Sequence, residues 1–218
     1  MGLYQATVAI TVGIFMMLAM GLNIITGYTG QVSLGHAAFF GIGAYTSALL
    51  SVKAGMSFWL ALPIAAAVTA AIGAILGAIS TRLHDDSLAI TTIGINFVVV
   101  SVFQYTQFFG GALGVGGIEY PSVLGRTLTK PEYLIVVVVC VLLGIWFDRR
   151  LVRSWLGLAL RAVGQNEEAA ESLGVPSAKF KISAFAIGTA YAGVAGSLYA
   201  HFMTFISARD FGFPTSIS

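Results

Sequence analysis

Polar side chains are scarce in the apolar stretches of this sequence, and one group of them lies at residues 26–36. Thr26, Tyr28, Thr29, Gln31, Ser33 and His36 supply hydrogen-bond donors and acceptors there, while Gly27, Gly30 and Gly35 loosen any helix. Irregular backbone at membrane depth is tolerated only where protein or a water-lined cavity surrounds it. A half-helix N-terminus at such a break would offer N–H groups and a positive dipole end to a carboxylate. A small solute carrying a carboxylate fits that chemistry, with Phe39 and Phe40 beside it to receive an apolar side chain. The structural alternative is an interfacial turn, with Tyr28 at headgroup level and His36 satisfied by a neighbouring helix. Asn96, Gln104 and Gln107 form a second polar set, suited to lining a path or to hydrogen bonding between helices. His84, Asp85 and Asp86 follow Arg82 at the end of an apolar segment. That position favours a solvated turn over an ion or proton site.

Other chemistries find little support. No G-x-x-x-x-G-K-[ST] occurs, so the chain has no phosphate cradle of its own. The histidines at 36 and 201 have no acidic residue close in sequence, and His84 has only Asp85 and Asp86 of the same boundary turn beside it, although distant partners stay open. Cys140 stands alone, and no cysteine–histidine cluster has metal-ligand spacing. Neither an enzyme nor a resident metal or cofactor is expected. The net charge of +2 is too small to suggest a nucleic-acid partner.

The elements that would hold these residues are read from hydropathy. The 218 residues are 57% hydrophobic and 9% charged, against about 25% charged in soluble domains, and mean hydropathy is +0.90. A water-soluble globular protein is excluded. About 20 apolar residues span a bilayer, and residues 1–52 contain no Lys, Arg, Asp or Glu. Six apolar segments stand out, at residues 5–25, 32–52, 58–80, 88–108, 133–147 and 182–203. The first has no basic residue before it and reads as a retained span rather than a cleaved signal. The fifth is short, with Glu132 before it and Asp148, Arg149 and Arg150 after it to reach the headgroups. Continuous apolar runs do not fit barrel strands. The fold expected is all-α, a polytopic bundle of about six membrane spans forming one domain over residues 1–218. Small residues at Gly73/Gly77, Gly110/Gly114 and Gly188/Ala192/Gly196 suggest close helix approach.

Arg149, Arg150, Arg153, Arg161, Lys179 and Lys181 concentrate in the connection at residues 149–181, which places it in the cytoplasm. With six spans, the turns near residues 26–30 and 82–86 fall on the same side and the N-terminus lies outside. Residues 156–176, LGLALRAVGQNEEAAESLGVP, are too polar for lipid and too helix-prone for a disordered loop. Their charges change sign from Arg161 to Glu167, Glu168 and Glu171, then to Lys179 and Lys181, and Gly174-Val175-Pro176 supplies a stop. A short helical hairpin at the cytoplasmic face is expected. Interfacial lipid-binding helices are usually basic, and the anionic cytoplasmic leaflet disfavours this acidic cluster.

Glu168-Ala169-Ala170 followed by Gly174 resembles the EAA-x-x-x-G motif of ABC-importer permeases. Residues 27–45, GYTGQVSLGHAAFFGIGAY, look like the signature of branched-chain amino-acid permeases. LYAHF at 198–202 with FIS at 205–207, LAITT at 88–92 and GGALG at 110–114 are similar to the LivM-type member of that permease pair. The resemblance covers most of the chain. It lacks the Leu-Pro found downstream of the EAA glycine in many ABC permeases, and family members continue through further spans, so a C-terminally truncated sequence is expected.

The resemblance implies an inner (plasma) membrane permease that moves branched-chain, hydrophobic amino acids and performs no catalysis itself. Its implied partners are ATP-binding cassette subunits, a second permease subunit, an external substrate-binding protein and the lipid bilayer. Arg161, Glu167, Glu168, Ala169, Ala170 and Gly174 would couple it to the ATPase, whose closure drives alternating access. Thr26, Tyr28, Thr29, Gln31, Ser33, His36 and Asn96 are the candidates for the substrate path. Urea and short amides are carried within the same family, and a free-standing channel or secondary transporter is the competing class.

Overall fold

The computed structural model describes residues 2–81, 85–123 and 126–212. Helices α1 (Leu3–Asn23), α2 (His36–Ala54), α3 (Phe58–Ser80), α4 (Asp85–Tyr105) and α5 (Lys130–Val152) precede the short α6 (Trp155–Gln165) and α7 (Glu167–Ser172), and α8 (Ser177–Met203) follows. Among the described residues, five stretches are long and apolar enough to cross a membrane: Tyr4–Tyr28, His36–Ala54, Phe58–Ser80, Ser87–Tyr105 and Ser177–Met203. The chain is an all-α polytopic membrane bundle.

The sixth expected span, α5, stands outside those five, and it is longer than its apolar run. It has 23 residues, about 34 Å at ~1.5 Å per residue. A capping box extends it at the start: the Thr129 N–H donates to Glu132 Oε2 at 2.6 Å. Arg149 and Arg150 suit the negative dipole end of its last turn.

Helix α8 is the axis of the bundle. It packs most extensively on α3 and α2 and then on α1, while α5 packs on α1 and α4 on α2. Lipid is as apolar as the helices, so close packing rather than water exclusion must join them. A Cβ on Gly73 would stand 2.0 Å from Thr189 Oγ1, and one on Gly188 would stand 2.5 Å from the Gly21 carbonyl. Ala192 is fully buried in the same face of α8. Gly110 and Gly114 differ from the expectation. Both have left-handed backbone, φ +84° and +77°, in the loop after α4 and serve turns rather than a helix contact. That loop is tied to the end of α8 where β1 (Val115–Gly116) pairs antiparallel with β2 (Phe205–Ile206).

Candidate functional site

The break expected near residues 26–36 lies between α1 and α2. Residues Ile24–Tyr28 continue α1 as a π-turn, and irregular backbone leads from Gly30 to the start of α2 at His36. Such π-turns inside membrane or soluble helices recur at functional positions. The second apolar segment is therefore helical only from His36, because Gly30 takes φ +70° and ends the preceding turn.

The break is packed inside protein. Thr29, Ser33 and His36 are buried and Gln31 is 1% exposed. Thr29 Oγ1 donates to the Ile25 carbonyl at 2.6 Å and to Gln31 Oε1 at 3.1 Å, and Gln31 Nε2 reaches Ser80 Oγ at 3.3 Å. The Leu34 N–H donates to Thr92 Oγ1 of α4 at 3.1 Å. Ser33 Oγ and both His36 ring nitrogens make no well-formed hydrogen bond, the Leu18 carbonyl being the group in weak polar reach of the ring. Thr26 is exposed and Tyr28 half-buried. Phe39 and Phe40, expected to receive a side chain, are themselves core: Phe40 packs against Tyr199 and Phe211 with ring centres 5.3 and 5.4 Å away.

Asn96 is fully buried, its Nδ2 donating to the Phe211 carbonyl at 3.4 Å and its Oδ1 without a partner. Helix α4 ends at Tyr105, so Gln107 stands exposed in a short 3-10 turn and only Gln104 remains on the helix. Arg82 and His84 lie outside the described residues, as do the side chains of Asp85 and Asp86.

Residues 149–181 form the end of α5, then α6 and α7 at an angle set by Asn166. Extended at φ −159°, Asn166 closes α6 and caps α7 by accepting from the Ala169 N–H at 2.9 Å. Gly174 at φ +82° makes the turn into α8. The two alanines part: Ala169 is exposed and Ala170 buried. Glu168 faces outward, and Leu173, 85% exposed, joins that surface. Glu167 turns inward to Lys181 of α8, with Oε2 to Nζ at 2.5 Å. Burial opposes its charge, but the Lys181 and Ser177 hydrogen bonds prevail and hold its carboxyl below the usual range.

The two polar regions meet. Arg161 of α6 lies 5.5 Å above the Tyr28 ring, and the Tyr28 hydroxyl donates to Asp148 of α5 at 3.2 Å. A Cβ on Gly164 would stand 2.4 Å from the Tyr28 carbonyl, so α6 lies directly on the break. Gly164 and Ser80 were not singled out from sequence, Asp148 was read only as a headgroup anchor, and Thr92 only as part of the LAITT block. Tyr28 and Asp148 are 120 residues apart, and no local spacing announces such a contact.

A serine–histidine pair also lies outside the sequence expectation. His201 Nδ1 is 2.9 Å from the Glu119 carbonyl and Nε2 is 3.0 Å from Ser47 Oγ, which in turn is 2.7 Å from Ser197 Oγ. A carbonyl only accepts, so Nδ1 carries the proton and Nε2 accepts from Ser47. Ser47, Ser197 and His201 are all wholly buried, and the ring's outer partner is a backbone carbonyl rather than a carboxylate. The trio joins α2 to α8 and the outer loop and is not arranged for nucleophilic chemistry.

The family described as branched-chain amino acid transport system, permease component, matches residues 4–218. The chain belongs to that family. LivM permease proteins of the high-affinity branched-chain amino acid transport systems of Escherichia coli and Salmonella typhimurium are each 33% identical over 93% of this chain and 54% of their own length. A Haloferax volcanii protein named for a glucose ABC transporter permease is 29% identical over 90% of the chain and 61% of its own. The chain thus spans about half the length of the LivM relatives it matches. No solved structure matches it. Permeases of this family are inner-membrane transport components and not themselves enzymes.

Proposed function

We propose that the chain is the membrane part of an ABC importer for branched-chain, hydrophobic amino acids, with residues 149–181 as its cytoplasmic coupling loop. A separate ATPase would dock on the outward face of α7, where Glu168, Ala169 and Leu173 are exposed beside the Gly174 turn. One observation carries the reading: α6 sits against the backbone of the polar break, so force on the loop reaches the membrane interior without an intermediary. Arg161 and Glu167 then act inside the subunit, through Tyr28 and Lys181, while Glu168 and Ala169 face the partner. Thr29, Gln31, Ser33, His36 and Asn96 would line or gate the path when the break opens, and the polar atoms of Ser33, His36 and Asn96 left unpartnered among the described residues are what a carboxylate and ammonium would engage. A second permease subunit and an external binding protein complete the assembly. The names of the LivM relatives favour branched-chain amino acids over glucose as cargo.

The test is leucine uptake and ATP hydrolysis by the reconstituted full transporter. Glu168→Lys and Gly174→Pro should leave membrane insertion intact and cut uptake at least about tenfold, and Gly164→Val should leave ATP hydrolysis running while uptake falls. Normal uptake in the first two variants removes the coupling assignment. Uptake of urea in place of leucine would reassign the cargo.

A further inference from the structure

Three arginines, Arg149, Arg150 and Arg153, are exposed around the end of α5, and none of them forms an ion pair among the described residues. Together with Trp146 and the half-buried Ser154 they line a cavity of about 500 Å³. The nearest acid in sequence, Asp148, is turned to the Tyr28 hydroxyl and accepts from it at 3.2 Å. The cavity is therefore a concentration of unneutralised positive charge on the side that the basic loops assign to the cytoplasm.

Trp146 also lines a second cavity, about 550 Å³, mainly between α5 and α8 with Met17 of α1 and Leu62 and Ala70 of α3 also in its lining. Leu143, Phe147, Ile187 and Val194 are among its walls, and it is wholly apolar. The one polar group that could interrupt it is used inward: the Tyr191 hydroxyl donates to the Gly144 carbonyl at 2.8 Å. An apolar trough meets a basic pocket at one indole, and tryptophan is the residue that favours the membrane–water boundary.

We propose that this composite site binds an anionic phospholipid, with an acyl chain in the α5–α8 trough and the headgroup phosphate on Arg149, Arg150 and Arg153. The guanidinium fork matches phosphate oxygens in pairs, and basic pockets at the cytoplasmic ends of membrane helices take anionic headgroups. A free anion would use the arginines but leave the trough empty. A zwitterionic lipid would fill the trough and gain little from three cations. Because α5 leads straight into α6, the bound lipid would also brace the segment on which the polar break rests.

The full transporter is purified in mild detergent, placed in phosphatidylcholine nanodiscs containing a minor fraction of phosphatidylglycerol, and its retained lipids are counted by native mass spectrometry. Phosphatidylglycerol should be enriched at least about threefold over its bulk fraction. The enrichment should vanish in Arg149→Gln/Arg150→Gln/Arg153→Gln, and also in Ile187→Trp, which fills the trough and keeps the charges. No enrichment in the unaltered transporter overturns the proposal without reference to any variant. So does enrichment that survives both variants, or enrichment abolished by millimolar inorganic phosphate, which marks a free-anion site. A photo-crosslinker at position 143 that captures polypeptide instead of lipid overturns it as well.

Discussion

Two buried histidines show how differently one side chain is used in this bundle. His201 has both nitrogens engaged, one by the Glu119 carbonyl and one by Ser47, whereas His36, equally buried, has neither well placed. Interhelical hydrogen bonds in membrane bundles average ~0.6 kcal/mol, and a carbonyl left unpaired adds about 1 kcal/mol or more. His201→Phe is therefore expected to cost about 1–2 kcal/mol, read as a lower thermal midpoint in detergent, and an unchanged midpoint would show the trio to be energetically silent. His36→Leu should behave in the opposite way. Its ring nitrogens make no good bond to lose, so stability should hold or rise, while leucine uptake falls if the ring serves the substrate path. A fall in stability with normal uptake would make His36 structural. From sequence His36 was a substrate-path candidate within the polar run and His201 a lone histidine, and their different surroundings were not legible because those groups come from other helices.

At the scale of elements, the informative contact is between α7 and α8. Glu167 has its carboxyl held below the usual range, so the stability it contributes is present above the ordinary carboxylate pKa and lost as pH falls through the depressed folded value. At pH 7 the tie to Lys181 is complete, and below about pH 4 it should weaken. Protection of the amides of 168–172, relative to their intrinsic exchange rates, should fall over that acid range in the parent, and be low already at neutral pH in Glu167→Gln. An identical acid profile in both would detach α7 from this ion pair. The acidic stretch and the Gly174 turn were legible as a helical hairpin, but which acid turns inward was not. Glu167 and Glu168 are neighbours on a six-residue helix, and only the position of Lys181 separates them. Likewise the fifth segment was underestimated, because apolar length says nothing about the Thr129–Glu132 cap that extends α5.

For the whole molecule, the prediction concerns orientation. With Cys140 replaced by alanine, a cysteine at position 168 should be shielded from a membrane-impermeant thiol reagent in intact cells, and one at position 126 should react. The reverse pattern would invert the bundle and place α7 away from any cytoplasmic ATPase. Helix α8 as the axis explains why small residues recur along it. Gly188, Ala192 and Gly196 each meet another helix, and a Cβ on Gly196 would come within 2.2 Å of the Phe40 carbonyl.

Composition and hydropathy by themselves determined the membrane class, the helical fold and the basic side of the bundle, because those properties depend only on how much apolar chain must leave water and where cations stop it. The motif at residues 168–174 and the polar run at 26–36 pointed to two separate regions of interest. That α6 rests on that run, through Gly164 against Tyr28 and Arg161 over its ring, was decided only by the tertiary structure. So was the meeting of a basic pocket with an apolar trough at Trp146. Contacts across more than a hundred residues depend on how helices cross, and crossing is set by packing of the whole bundle rather than by any local sequence pattern.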